Sequence, residues 1–180
     1  MTAPGRESAE FVTITADEVE TISFAARLAR RMLEAGDVVT LSGSLGAGKT
    51  RFVRGLARGL GLDERRVSSP TFVLLQEYDP AEHEANDSAT PLAHLDAYRL
   101  LDPSELESIG WDELVEMRRF VIAVEWPERI EGRLPVDRVA ITIEPIGERE
   151  RRILVRPRGR MCGRDWRTVM EHDERQEEPA

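Results

Sequence analysis

The stretch DVVTLSGSLGAGKTRFVRGLARGLG, residues 37–61, contains the pattern G-x-x-x-x-G-K-[ST] over residues 43–50. It begins with a β-branched apolar run, which is typical of a strand buried on both faces. After the glycines it continues into a segment whose apolar residues recur at helical spacing. A strand, a glycine-rich loop and a helix in direct succession form the context in which this pattern binds a polyphosphate. The sequence therefore predicts a phosphate-binding loop, or P-loop.

The requirements of phosphate binding explain each residue type in this loop. Glycines let backbone N–H groups approach the phosphates closely, and the N-terminus of the following helix adds a positive dipole. Lys49, the only lysine among 25 lysines and arginines, can reach the β- and γ-phosphates of ATP, and Thr50 can bind Mg²⁺. The residues predicted to contact the nucleotide here are Gly43, Ser44, Leu45, Gly46, Ala47, Gly48, Lys49, Thr50 and Arg51.

Two carboxylates at strand ends are candidates for the rest of the site. Asp96 ends the short strand LAHLD, and Glu125 ends the apolar strand VIAVE. P-loop proteins hold Mg²⁺ with such an acid. We predict that Asp96 is the metal partner and that Glu125 orients or deprotonates the attacking water, with the reverse division left open. His94, in the same strand as Asp96, is expected to be packed or hydrogen-bonded rather than a metal ligand.

The remaining elements indicate one α/β domain. FVTIT (11–15) alternates like a strand, and Thr15 and Glu18 have capping-box spacing for a helix. DRVAITIE and RRILVR alternate and predict an antiparallel pair near the end of the domain. We predict a P-loop NTPase-type three-layer sandwich, with a mostly parallel central sheet and antiparallel additions. The predicted domain covers residues 1–156, followed by a charged tail at 157–180, for which disorder stays open.

Composition limits the functions that the chain can have. The formal net charge of −9 argues against a whole-chain electrostatic grip on nucleic acid. The arginines within 149–167 are therefore either a solvated face or a local contact for a partner or RNA. Cys162 is the single cysteine, so no internal disulfide can form. No apolar run reaches the length of a membrane span and the first residues have no signal-peptide pattern, which predicts a cytoplasmic protein without membrane contact.

The order and spacing of four blocks resemble a known family. A guanine-recognition N-K-x-D motif is excluded because Lys49 is the only lysine, which argues against an ordinary GTPase. LSGSLGAGKTRFVRGLARGLG, VSSPTFVLLQEY, HLDAYRL and VIAVEWPERI together are similar to the TsaE (YjeE) family, over about residues 13–155. This family consists of bacterial ATPases of tRNA threonylcarbamoyladenosine synthesis.

The resemblance implies roles for named residues and partners. The family's metal-binding aspartate falls on Asp96, its EW pair on Glu125 and Trp126, and its SPTF threonine on Thr71. Lys49, Glu125 and Thr71 are then the expected catalytic residues, Thr50 and Asp96 the metal ligands, and Trp126 a further nucleotide contact. The resemblance also implies slow Mg²⁺-dependent ATP hydrolysis alongside TsaB and TsaD, with tRNA reached through that complex. A P-loop kinase for a small molecule or nucleoside, or a nucleotide-dependent scaffold without turnover, stays an alternative.

Overall fold

A seven-stranded sheet forms the centre of the described part of the chain. The computed structural model describes residues 9–69, 74–80, 89–100, 102 and 104–170. The strands are β1 (Phe11–Thr15), β2 (Val38–Ser42), β3 (Leu75–Tyr78), β4 (Leu92–Asp96), β5 (Val121–Glu125), β6 (Arg138–Pro145) and β7 (Arg151–Arg158). The α-helices are α1 (Glu18–Met32), α2 (Lys49–Gly59), α3 (Glu105–Ser108), α4 (Trp111–Met117) and α5 (Arg167–Met170).

The sheet is parallel at its centre and antiparallel at both edges. Its order is β1-β7-β6-β2-β5-β4-β3. The four central strands β6, β2, β5 and β4 run parallel to one another. At one edge β3 pairs antiparallel with β4, and at the other β7 and β1 add an antiparallel ribbon. The predicted fold class, including the antiparallel pair of β6 and β7, is confirmed.

Helices cover both faces of the sheet and give the predicted three layers. Successive residues of a strand point to opposite faces, and the core divides accordingly. Val39 and Leu41 of β2 join the core under α1 and α2, whereas Val38 joins the core under α3 and α4. No helix in the described ranges is both long enough and apolar enough to cross a membrane.

The cap that begins α1 differs from the predicted one. The structure places Asp17, rather than Thr15, at the N-cap, where its carboxylate accepts the N–H of Glu20 at 2.9 Å. Thr15 is the last residue of β1 and is buried. The helix therefore starts with a side-chain cap and with acids in its first turn.

The predicted boundary at residue 156 falls inside β7, so it does not divide the structure. After β7 a 3-10 turn covers Gly159–Gly163 and leads to α5. Met161, Trp166 and Val169 are buried in the core that also holds α1. The described part of the predicted tail is thus a folded part of the domain, because these apolar side chains join the core and α5 packs against α1. Residues 171–180 lie outside the described residues.

Candidate functional site

The P-loop occupies residues 43–48, between the end of β2 and the start of α2. Gly46 and Gly48 have φ of 78° and 108°, a left-handed backbone that disfavours other residues. A Cβ at either position would meet no heavy atom within 4 Å, so both glycines border open space. Ser44 and Leu45 are exposed, whereas Ala47 is buried beneath the loop. The loop therefore forms a cradle that side chains at its glycines would fill.

The N-terminus of α2 differs from that of α1 in a way that suits an anion. Gly48 is its N-cap, no side chain caps it, and no acid lies in its first turn. A helix leaves its first N–H groups without intrahelical acceptors, and the helix dipole makes this end positive. In α1, Asp17 caps the N-terminus and acids lie in the first turn. The N-terminus of α2 has no side-chain cap and no acid in its first turn, so it can bind an anion.

Lys49 lies under the loop rather than in solvent. Its Nζ donates to the carbonyls of Gly43 and Ser44 at 2.8 and 2.9 Å, and only 5% of the residue is exposed. Burial lowers the pKa of Lys49, opposed by the attraction of Glu125, Asp96 and Glu128. The ammonium is thus held at a fixed point beside the cradle.

The two predicted carboxylates end adjacent strands. Asp96 and Glu125 are partners in the parallel register of β4 and β5, so their side chains leave the sheet side by side. Oε1 of Glu125 accepts the hydroxyl of Thr50 at 2.9 Å and lies 3.0 Å from Nε2 of His94. Glu125 is 3% exposed. The structure therefore joins Thr50 directly to Glu125, although the sequence prediction paired Thr50 with Asp96.

The environment of Asp96 differs from that of Glu125. It is partly exposed, and its Oδ1 accepts the N–H of Tyr98 at 3.1 Å. Burial raises the pKa of Asp96, and the nearby Glu125 raises it further, against the lowering effects of the Tyr98 N–H, His94 and Lys49. Two neighbouring acids with unequal surroundings can therefore take different roles at one site.

Trp126 lies against the lysine. Its ring centroid is 3.7 Å from Nζ of Lys49 and 4.8 Å from the ring of Tyr98. Its backbone has φ 58°, an uncommon conformation for a bulky residue and one that often marks a functional position. Trp126 therefore lines the cavity beside Lys49, and its contact with a nucleotide stays a prediction. Trp111 is 1% exposed and belongs to the core.

Two cavities flank the P-loop. One has a volume of about 540 Å³ and is lined by Lys49, Thr50, Asp96, Glu125 and Trp126, among others. The second, of about 390 Å³, is lined by Asp17, Glu18, Val19, Thr21, Ala47, Gly48, Arg51, Glu148, Arg149 and Arg151. Sequence reasoning missed this second cavity, because the β1–α1 and β6–β7 turns that enclose it carry no motif.

Comparison with known proteins agrees with this geometry. The family model described as threonylcarbamoyl adenosine biosynthesis protein TsaE matches residues 15–153. The chain belongs to the TsaE family. It is 43% identical to the tRNA threonylcarbamoyladenosine biosynthesis protein TsaE of Bacillus subtilis, over 78% of this chain and 80% of the relative. The corresponding protein of Treponema pallidum is 41% identical, over 69% of this chain and 85% of the relative.

A solved structure shows the same architecture. The crystal structure of Bacillus subtilis YdiB superposes with a TM-score of 0.71 at 33% identity, over 94% of this chain and all of that chain. At 94% of the 180 residues, this coverage extends beyond residue 156. The predicted family and fold are therefore confirmed.

The structure brings most of the predicted site residues of this TsaE-family chain together. All of the predicted nucleotide and metal residues form the P-loop or line its two cavities, and most of them line the larger cavity. Thr71 lies outside the described residues, so its role stays a prediction. His94 is fully buried and hydrogen-bonded, as expected. No cluster of three or more metal-ligating side chains occurs within the described ranges.

Four of the arginines between residues 149 and 167 form ion pairs with carboxylates: Arg152, Arg156, Arg160 and Arg164. Arg152 pairs with Glu144 and Arg156 with Glu10. Arg164 donates to the buried carboxylate of Asp37. The geometry therefore favours the solvated or structural interpretation of this segment over an RNA contact.

Proposed function

We propose that this TsaE-family chain binds Mg·ATP at the P-loop and hydrolyses it slowly, as the nucleotide-dependent component of tRNA threonylcarbamoyladenosine synthesis. We further propose that it acts in the cytoplasm with a TsaB–TsaD complex, which contacts the tRNA. One observation carries the ATP proposal: the uncapped N-terminus of α2 presents Lys49 and Thr50 to two strand-end carboxylates. This is the set of groups that phosphoryl transfer from a nucleotide requires.

The phosphates fit the cradle formed by Gly46, Gly48 and the first turn of α2. Backbone N–H groups there can donate to phosphate oxygens, and the helix dipole favours their charge. Lys49 lies within this cradle and can exchange its two loop carbonyls for phosphate oxygens. Because the site already excludes water from the ammonium, each such contact is stronger than it would be at an exposed surface.

The donor set suits Mg²⁺. Thr50 and Glu125 offer hard oxygen atoms held together at 2.9 Å, and Mg²⁺ commonly uses one or two such protein ligands together with phosphate oxygens and water. When bound, the ion would neutralise charge on the β- and γ-phosphates. We assign Glu125 to the metal, because its carboxylate is the one already joined to Thr50 through Oε1, which leaves Oε2 for the ion. This assignment reverses the division predicted from the sequence.

Asp96 then becomes the candidate that orients the attacking water. It borders the same cavity, it is more exposed than Glu125, and burial raises its pKa. A carboxylate with a raised pKa is a better proton acceptor than an ordinary one near neutral pH. The hydrogen bond from the Tyr98 N–H to Oδ1 restricts the orientation of this carboxylate.

The nucleoside of ATP fits the second cavity. Its volume of about 390 Å³ lies within the usual range for small-molecule sites, and neither Asp96 nor Glu125 lines it. Arg151 donates to the carbonyl of Ala47 at 2.9 Å, and Arg51 pairs with Glu18 at 2.8 Å. These contacts tie the cavity walls to the loop, so a bound nucleoside would support the phosphate cradle.

Phosphate release from ATP tests the proposal. The purified chain is incubated with Mg·ATP, with and without TsaB–TsaD and tRNA, and a Lys49→Ala variant is the matched control. Free phosphate that rises with the complex and is absent from the control supports the proposed function. Phosphate transferred to tRNA or a nucleoside would identify a kinase instead. Tight nucleotide binding without phosphate release would identify a scaffold.

A further inference from the structure

A buried histidine contacts the candidate metal carboxylate. His94 lies in β4, two residues before Asp96, and is completely buried. Its Nε2 is 3.0 Å from Oε1 of Glu125, the same oxygen that accepts the Thr50 hydroxyl. Its Nδ1 is buried and has no hydrogen-bond partner among the described residues. Buried polar groups are costly without such partners, so an apolar residue would fill this space with less penalty if packing were the only requirement.

The hydrogen-bond pattern decides which ring nitrogen carries the proton. An ionised carboxylate only accepts hydrogen bonds, and a neutral imidazole has one donor and one acceptor nitrogen. A proton on Nδ1 would leave a buried donor without an acceptor and would turn the Nε2 lone pair towards the carboxylate of Glu125. The proton therefore belongs on Nε2, and His94 donates to Glu125.

The acid at position 125 is a glutamate, and the flexibility of its side chain explains why a hydrogen bond from His94 would matter. A glutamate has one more rotatable bond than an aspartate, so its carboxylate has more freedom to lose when it becomes fixed. Thr50 and His94 hold one oxygen, Oε1, from two sides. The lone pairs of Oε2 then remain for ligands in the cavity that Glu125 lines.

We propose that His94 is a positioning residue, which fixes the carboxylate of Glu125 against Thr50 by donating its Nε2–H to Oε1. The role rests on the proposed function in that Glu125 is taken as the metal partner. Removing a donor that holds a metal-binding carboxylate in place typically changes metal affinity by about 10–100-fold. His94 does not contact nucleotide or metal itself; it acts through Glu125.

Histidine NMR tests the bond without metal or activity. The chain has three histidines, so a His94→Gln variant assigns the signals of His94 in ¹⁵N-histidine-labelled protein. We expect a protonated Nε2, an unprotonated Nδ1, and a slowly exchanging Nε2 proton that is lost in Glu125→Ala. A proton on Nδ1, or a His94 signal unchanged in Glu125→Ala, would overturn the proposal.

Magnesium-dependent nucleotide affinity tests the consequence. His94→Gln keeps an N–H donor at nearly the reach of Nε2, whereas His94→Leu has similar size and no donor. We expect His94→Leu to lose at least tenfold of the Mg²⁺-dependent gain in affinity for a non-hydrolysable ATP analogue, with affinity in the absence of Mg²⁺ unchanged. His94→Gln should stay within about threefold of wild type. If His94→Leu does not fold, His94→Asn, whose shorter amide cannot reach Glu125, takes its place.

The outcomes separate this role from the function on which it rests. Equal losses in the Gln and Leu variants, or no loss in either, would overturn the role of His94 while leaving Mg·ATP binding by the wild-type chain intact. A wild-type chain without any Mg²⁺-dependent affinity would overturn the proposed function and the metal part of this role together. The NMR result would then still show whether His94 holds Glu125.

Discussion

The Thr50 hydroxyl donates to Oε1 of Glu125 over 2.9 Å and so joins the first turn of α2 to the last residue of β5. We expect Glu125→Gln to lose most of the Mg²⁺ dependence of nucleotide binding, at least tenfold or about 1.4 kcal/mol. Asp96→Asn should keep that dependence and instead lower turnover. Thr50→Val, which has the shape of threonine without the hydroxyl, removes the other partner of this hydrogen bond and should behave like Glu125→Gln.

Calorimetric titration with and without Mg²⁺, combined with phosphate release, separates the two acids. Retained metal dependence in Glu125→Gln together with its loss in Asp96→Asn would restore the division predicted from the sequence.

Asp96 should destabilise the fold near neutral pH. Burial raises its pKa above the ordinary value near 3.8, so the folded chain binds this proton more tightly than the unfolded chain. Stability is then lost as the pH rises from the unfolded pKa through the folded one. Asp96→Asn should therefore raise the melting temperature at pH 7, and the gain should shrink as the pH falls towards 4. A gain that grows with acidity would contradict the shift.

The close packing of α1 and α2 depends on two glycines. A Cβ at Gly55 would lie 2.4 Å from the Ile22 carbonyl oxygen, and one at Gly59 would lie 2.2 Å from that of Ala26. Gly55→Ala must push the helices apart, and we expect a loss of about 2–3 kcal/mol, in the range for overpacked cores. Gly132→Ala, where a Cβ would meet nothing within 4 Å, is the control. Urea unfolding measures both, and equal stability would contradict the packing argument.

The sequence predicted those parts of the site that rest on local patterns. The P-loop is recognised by its motif, and the strands that end at Asp96 and Glu125 are recognised by their apolar pattern and length. Neighbouring parallel strands bring their carboxyl ends to the same edge of the sheet. The partner of Thr50 was not predictable, because it depends on how far a glutamate reaches compared with an aspartate across two strands.

The sequence did not predict the second cavity or the folded C-terminal segment, and the reason differs from that for Thr50. The cavity is enclosed by turns from opposite ends of the chain, so no local pattern marks it. The segment after β7 is rich in arginine, and its charge obscured three apolar residues, Met161, Trp166 and Val169. Their burial depends on packing against other elements of the core, some of which, such as α1, lie far away in sequence.

The folded C-terminal segment is held by a buried ion pair. Arg164 donates to both oxygens of Asp37, whose side chain is fully buried, and to Glu34. Arg164→Ala should cost about 2–3 kcal/mol, because the buried carboxylate of Asp37 then keeps, within the described residues, only the Glu34 N–H and a longer contact of 3.8 Å to Arg160. Arg167→Ala, at an exposed position on α5, is the control. Thermal unfolding of both, and of Arg164→Ala with Asp37→Asn, measures the effect.

If the double variant were no more stable than Arg164→Ala alone, the buried charge would not be the cause of the loss. Equal melting temperatures for Arg164→Ala and Arg167→Ala would show that residues 159–170 contribute little, as the tail prediction implied.

Lys49 occupies a place that an arginine does not fit. Its ammonium lies between the carbonyls of Gly43 and Ser44 and 3.7 Å from the centre of the Trp126 ring. An ammonium is a compact point charge, whereas a guanidinium is a broad planar fork. We expect Lys49→Arg to fold but to lose at least tenfold in ATP turnover, or about 1.4 kcal/mol of transition-state stabilisation. Arg58→Lys, the opposite exchange at an exposed position of α2, should keep turnover near wild type.

Amine acylation offers a check on the wild-type chain, because Lys49 is its only lysine. Burial lowers the pKa of Lys49, which raises the fraction of neutral, reactive amine, while the loop restricts access to it. Mg·ATP should protect Lys49 from the reagent and leave the α-amino group as reactive as before, as read by peptide mass spectrometry. Near-normal turnover in Lys49→Arg would show that charge alone is needed here. Equal labelling of Lys49 with and without nucleotide would show that the phosphates do not reach it.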